Sequence, residues 1–93
     1  MNVPLRHYKD LYALFIAVET EKEAEKLLSD ILTPQELDSL AERWQIVQEL
    51  AKKNTQREIA KKLKTSIAKV SRGSRILQYG EGGFLHFIKK LKK

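Results

Sequence analysis

Three times in this chain a threonine is followed three residues later by a glutamate, at Thr20–Glu23, Thr33–Glu36 and Thr55–Glu58. This is the spacing of the capping box, in which a hydroxyl and a carboxylate satisfy two backbone N–H groups that the first turn of a helix leaves without partners. Pro34 follows the second threonine directly, and proline suits a first helical position because its missing N–H would have no partner there. No stretch alternates apolar and polar residues as a half-buried strand does. The chain is therefore predicted to be all-α.

Periodicity divides it into six helices. The first runs from Leu5 to Glu19 and carries Tyr8, Leu11, Tyr12, Leu14, Phe15, Ile16 and Val18, a stripe too wide for one buried face. The second, Glu21 to Leu32, is expected to bury Ala24, Leu27, Leu28 and Ile31. The third, Pro34 to Lys53, aligns Leu37, Leu40, Ala41, Trp44, Val47, Leu50 and Ala51 at three- and four-residue spacing. Two short helices follow, Gln56–Leu63 and Ser66–Gln78, then Gly80, Gly82 and Gly83 interrupt the chain before a last helix, Phe84–Lys92. At 93 residues this is one small domain, short enough that a core shared with a second copy would help it.

Composition narrows the function. Without cysteine there is no disulfide framework, thiolate zinc site or thiol catalysis. The longest apolar run, Ala13–Val18, falls far short of the roughly 20 residues of a membrane span. No basic leader with a cleavage site opens the sequence, so a cytoplasmic protein is expected. The net charge of +6 is unevenly placed: five basic residues face ten acidic ones up to residue 50, whereas thirteen basic residues face only Glu58 and Glu81 beyond it. A basic half implies an anionic partner, nucleic acid or an acidic membrane face; a merely solvated lysine-rich face is the alternative.

The segment from Thr55 to Arg72 places chemistry on that basic half. Ile59, Ala60 and Leu63 form the inner face of one helix, Lys64-Thr65 a turn, and Ile67 with Val70 the inner face of the next. Ser66, Lys69, Ser71, Arg72 and Arg75 are left pointing outward, short polar groups for base edges and long cations for phosphates. This is a helix-turn-helix pattern, whose second helix enters the major groove while the first crosses the backbone. A plain helical hairpin with a wet polar face has similar spacing. Lys64 stands where such turns most often carry glycine, so it demands strain or a different turn.

Several stretches resemble the Trp repressor family: Leu32-Thr-Pro-Gln-Glu-Leu, Leu40-Ala-Glu-Arg-Trp-Gln-Ile-Val-Gln-Glu-Leu, Thr55-Gln-Arg-Glu-Ile and Ser66-Ile-Ala-Lys-Val-Ser-Arg-Gly-Ser. The likeness covers residues 30–77, and Leu77-Gln-Tyr-Gly with the short N-terminus is closer to the YerC/YecD-type branch. It implies a six-helix fold in an intertwined homodimer. Residues 1–53 would supply the shared core, 55–79 a reading head and 84–93 a C-terminal helix. It also implies that Arg57 reaches a guanine, that Ile67, Ala68, Lys69 and Ser71 form the tip of the recognition helix, and that Gln56, Ser74 and Arg75 meet the DNA backbone. Lys61 and Lys62 add charge that would strengthen binding to any sequence.

The same resemblance implies a corepressor, L-tryptophan. Arg43 and Arg72 match the two arginines that flank it, Thr33 the threonine near its carboxylate, and Gly73 the small residue that admits the indole. Guanidinium planes stack on indoles and fork onto carboxylates, so the residue types suit an aromatic amino acid. One position departs: Ile76 replaces a serine that accepts from the ligand ammonium, leaving the backbone carbonyls near Leu32. A missing acceptor costs about 1–3 kcal/mol. Contact with phosphate and a surface ion pair explain Arg43 and Arg72 equally well.

The remaining singles carry little. Trp44 lies on the apolar face of the third helix and is expected in the core, and His7 and His86 have no metal-ligand spacing. Gly80-Glu-Gly-Gly lacks the Lys-Ser/Thr of a phosphate cradle and reads as a hinge, and no catalytic constellation points to an enzyme. The sequence thus predicts a homodimeric repressor that binds a palindromic operator. The same fold without a small-molecule ligand is the first alternative; a helical protein-interaction or membrane-surface module is the alternative of another class.

Overall fold

The protein was analysed as a computed structural model that describes residues 2–92. Met1 and Lys93, the outer ends of two predicted ranges, lie outside the described residues. Six helices follow one another: α1 (Leu5–Ile16), α2 (Glu21–Ile31), α3 (Pro34–Ala51), α4 (Gln56–Leu63), α5 (Ile67–Tyr79) and α6 (Gly83–Leu91). No strand occurs among the described residues. The chain divides into two compact units, one reaching to Leu37 and one beginning at Asp38.

In the first unit, α1 stops three residues before the predicted Glu19, for a local reason. Thr20 is extended (φ −131°, ψ 160°), and its Oγ1 accepts from the Glu23 N–H at 3.1 Å. The Glu23 carboxylate accepts from the Glu19 N–H at 2.9 Å, one residue earlier than an ideal box. Those bonds require the chain to leave the helix before Glu19. The second box closes as predicted, with the Thr33 N–H donating to Glu36 Oε1 at 2.8 Å and the Glu36 N–H to Thr33 Oγ1 at 3.1 Å. The wide stripe of α1 stays open: Leu5, Leu11, Tyr12, Leu14, Phe15 and Ile16 are all exposed, Ile16 at 81%. On α2, Ala24, Leu27 and Leu28 are half-buried, but Ile31 is exposed, contrary to expectation, because it ends the helix where Leu32 turns to extended backbone.

In the second unit the core consists of Ile46, Val47, Ile59, Ala60 and Val70, with Leu50 and Leu63 packed at its margin. Ile59, Val47 and Val70 are fully buried, each contributing about 1.5–3 kcal/mol of transfer free energy. The face expected for α3 is only half right. Leu40 is exposed and Trp44 is half-buried, stacked on Phe84 of α6 with ring centroids 6.1 Å apart. Ile46 and Glu49, absent from that face, are buried instead. The helix is covered on a second side, where Ile46 and Leu50 meet the core residues of α4 and α5.

Candidate nucleic-acid interface

The segment read as a helix-turn-helix folds as two capped helices joined by a tight turn. The third box is complete: Thr55 Oγ1 accepts from the Glu58 N–H at 3.1 Å, and Glu58 Oε1 accepts from the Thr55 N–H at 2.9 Å. The latter bond, and then the Thr55 hydroxyl, hold the Glu58 carboxyl below the usual glutamate range. At the other end of α4 the Thr65 N–H donates to the Ala60 carbonyl at 3.0 Å and the Lys64 N–H to that of Lys61 at 3.4 Å. This pair of bonds is the Schellman motif, which needs a left-handed residue at its corner. Lys64 supplies it at φ 54°, ψ 47°, so the strain anticipated for a non-glycine turn is present.

Then α5 begins, capped by Ser66, whose Oγ accepts from the Lys69 N–H at 3.1 Å. This role was not read from the sequence, since no glutamate stands three residues on to complete a box. Ile59 and Ala60 of α4 pack against Val70 of α5, as predicted. Ile67 does not join them. It is 49% exposed at the first position of α5, because the inner face of the helix begins one turn later, at Val70. Ala68 is exposed beside it.

The expected contact residues fall into two groups. Arg57, Lys61, Arg72 and Arg75 are exposed, and Ser74 is half-buried. Ile67 and Ala68 are exposed as well, whereas Gln56, Lys62, Ser66, Lys69 and Ser71 are engaged within the unit. Ser71 Oγ donates to Gln56 Oε1 at 2.6 Å, tying α5 to α4. Lys62 Nζ donates to Glu49 Oε1 at 3.0 Å and Lys69 Nζ to Glu42 Oε1 at 3.1 Å. Both acceptors sit on α3, seven residues and two helical turns apart, and neither was singled out from the sequence. Their signal is that spacing, which puts two carboxylates on one side of α3.

Glu49 is the more constrained of the two, 5% exposed and holding three donors. Besides Lys62 it accepts from Lys52 Nζ at 3.2 Å and from Asn54 Nδ2 at 2.8 Å. The Lys62 and Lys52 ammonium groups, in that order, lower its pKa against a smaller opposing effect of burial. The donors come from the α3–α4 turn, Lys52 and Asn54, and from α4, Lys62, so one carboxylate at the end of α3 fixes the start of α4. That turn is a second Schellman motif: Asn54 N–H donates to the Glu49 carbonyl, Lys53 N–H to that of Leu50, and Lys53 has φ 68°.

Beside α5 lies a cleft of about 170 Å³ lined by Ser39, Glu42, Arg43, Ile46, Lys69, Arg72 and Gly73. It brings together Arg43, Arg72 and Gly73, three of the residues expected to hold a ligand. Leu32 and Thr33 belong to the other unit, where Leu32 follows α2 and Thr33 caps α3. Gly73 is buried, and a Cβ there would stand 2.9 Å from Ile46 Cγ2. The missing side chain is thus explained by the close approach of α5 to α3, whatever it admits to the cleft.

With this geometry in place, the profile of the family described as Trp repressor protein matches residues 6–92. The chain belongs to the Trp repressor family. Relatives include a "Trp operon repressor homolog" of Mannheimia succiniciproducens, 42% identical over 83 residues, or 88% of this chain and 81% of that one. Another of that name, from Haemophilus influenzae strain PittEE, is 40% identical over 81 residues, covering 86% and 79%. A third, from Chlamydia caviae, is 38% identical over 85 residues, covering 90% and 84%. A solved "TrpR like protein" from Eubacterium eligens superposes with a TM-score of 0.87 at 28% identity over 92% of this chain and 89% of the other. The Trp repressor fold is therefore established for this chain, as the quoted motifs implied.

Proposed function

We propose that this Trp repressor family member is a transcriptional repressor, acting in the cytoplasm as a homodimer on a palindromic operator. The observation that carries the reading is the α4–α5 pair, capped at both N-termini, locked by a Schellman turn and fringed by exposed cations. In this reading α5 enters the major groove with Ile67, Ala68, Lys69 and Ser71 at its tip, and Arg57 forks onto a guanine. Gln56, Ser74 and Arg75 meet phosphates. The family supports a regulator rather than an enzyme, and its relatives carry the name of a repressor.

The second copy answers a physical need. The uncovered apolar stripe of α1 in the first unit is the kind of surface a subunit interface buries. A partner copy presenting the same helix would cover it.

L-tryptophan is the proposed corepressor, set between Arg43 and Arg72 beside Gly73, with Leu32 and Thr33 included on the family resemblance alone. The cleft favours a second reading as well. Its volume of about 170 Å³ is below the roughly 300 Å³ of a typical small-molecule site, which supports DNA binding without a ligand.

A gel-shift series against salt tests the core of the proposal. Random duplex should show log K falling with log salt at a slope of about −0.9 per phosphate neutralised, and a flat response would remove both DNA readings. In that case a peripheral module is left, although no helix among the described residues is long and apolar enough to cross a membrane. Titration calorimetry with L-tryptophan decides between the two ligand readings, and sizing in solution decides the dimer.

A further inference from the structure

Among the described residues, left-handed backbone occurs at Lys53 (φ 68°), Lys64 (φ 54°) and Gly82 (φ 83°). Gly82, ahead of α6, is the residue type that this conformation favours. The two lysines instead border α4, Lys53 in the Schellman turn before it and Lys64 in the one after it. Neither has the short polar side chain with which Asn or Asp bonds its own backbone in this conformation. A helix dipole favours a cation at its C-terminus, but by less than the left-handed strain costs. Both lysines are exposed, and among the described residues neither ammonium group forms an ion pair. Lys52 and Lys62, close to them in sequence, pair with Glu49 instead. Nothing within the chain therefore offsets the strain at either turn. Strain of this kind clusters at functional sites, and the helix these lysines border is the one that crosses the DNA backbone in a helix-turn-helix.

We propose that Lys53 and Lys64 are DNA contacts, each neutralising a backbone phosphate at one end of α4, and that the charge is the reason lysine stands where glycine would fit better. This rests on the DNA-binding reading above and adds two residues to it. The eight residues of α4 span about 12 Å, whereas one strand of a duplex carries a phosphate for about every 3.4 Å of its axis. The two ends of the helix thus meet different phosphates, and the two contributions add. Lysine suits the task because its ammonium is a mobile point charge on a flexible stem, which needs no fixed fork geometry. The contacts carry no base preference.

Salt slopes on a random duplex test the proposal, because they count neutralised phosphates. The full-length wild type is compared with Lys53→Gly, Lys64→Gly, the double glycine variant, and Lys53→Arg and Lys64→Arg, which keep the charge. Lys26→Ala, on α2 of the other unit, controls for net charge, and Tm is followed by circular dichroism. Each glycine variant should flatten the slope by about 0.9 and weaken binding roughly five- to tenfold at about 0.1 M salt. The double variant should flatten it by about 1.8. Tm should rise in all three, because glycine relieves the turn. The arginine variants and Lys26→Ala should keep the wild-type slope.

An unchanged slope in a glycine variant overturns the assignment of that lysine, whether or not Tm rises. A flattening that comes with a lower Tm, that the arginine variant shares, or that Lys26→Ala shows equally overturns the proposal, since damage to the fold or net charge then explains it. A flat response in the wild type removes the DNA-binding reading itself, whereas a steep wild-type slope with unmoved variants removes this inference alone.

Discussion

Replacing Lys64 by glycine should stabilise the protein. The residue holds the corner of the α4–α5 turn at φ 54°, ψ 47°, where an L side chain crowds its own carbonyl at a cost of about 1–2 kcal/mol. Glycine removes that cost and returns about 0.4–1 kcal/mol of it as extra freedom of the unfolded chain, for a net gain of about 0.5–1 kcal/mol. Lysine near the end of α4 also has a favourable interaction with the helix dipole, a few tenths of a kcal/mol once salt screens it. Lys64→Ala isolates that contribution, because alanine keeps the strained conformation and loses the charge. The informative quantity is the difference between the two variants, about 1 kcal/mol, or roughly 4–8 °C in Tm for a chain of this size. Thermal melts followed by circular dichroism, at one protein concentration so that any association cancels, measure it. A Lys64→Gly variant no more stable than Lys64→Ala would show that Lys64 carries no left-handed strain in solution, and the account of this turn would fall.

Thr55→Ala should cost about 1 kcal/mol by opening the capping box of α4, read as a lower urea midpoint with an unchanged slope. Glu49→Gln should flatten the acid limb of stability. The native pKa of Glu49 is lowered, so its contribution is complete above the ordinary glutamate range and is lost as pH falls through the lowered native value, on the acid side of that range; a titration of Tm against pH reports it. Lys61→Ala and Lys62→Ala should diverge although they are neighbours. The first reduces the DNA salt slope by about 0.9 at unchanged Tm, whereas the second lowers Tm by taking a donor from buried Glu49. Arg57→Ala should cost about 1–3 kcal/mol on the operator and relax preference at one base pair, measured by competition with substituted duplexes.

Helix starts were the most legible part of the sequence, because a cap is local: the threonine and glutamate that form it are three residues apart, and no distant packing intervenes. Thr33 and Thr55 form the boxes their spacing predicts, and α4 has the limits read for it. Helix ends were less legible, since the stop of α1 depends on which N–H the Glu23 carboxylate selects. The faces of α3 were harder again. A periodicity of apolar residues locates one stripe, but Ile46 and Glu49 are buried by α4 and α5, helices brought there by two turns whose geometry is set by left-handed lysines rather than by glycine. The candidate site showed the same division. Its cations could be listed from the sequence, but which of them are bound to Glu42, Glu49 or Gln56 depends on the crossing of three helices.

The bare backbone at Gly73 links two properties that would otherwise vary independently. The same absent methyl group lets α5 approach Ile46 to within 2.9 Å of where a Cβ would stand, and forms part of the wall of the cleft. A mutation that narrows the cleft at this point also pushes α5 away from α3, and one that restores the spacing must trim Ile46, which lines the cleft as well. The width of the cleft and the seating of α5 on α3 are therefore inherited together here, and a change in one is expected to require a paired change at positions 46 and 73.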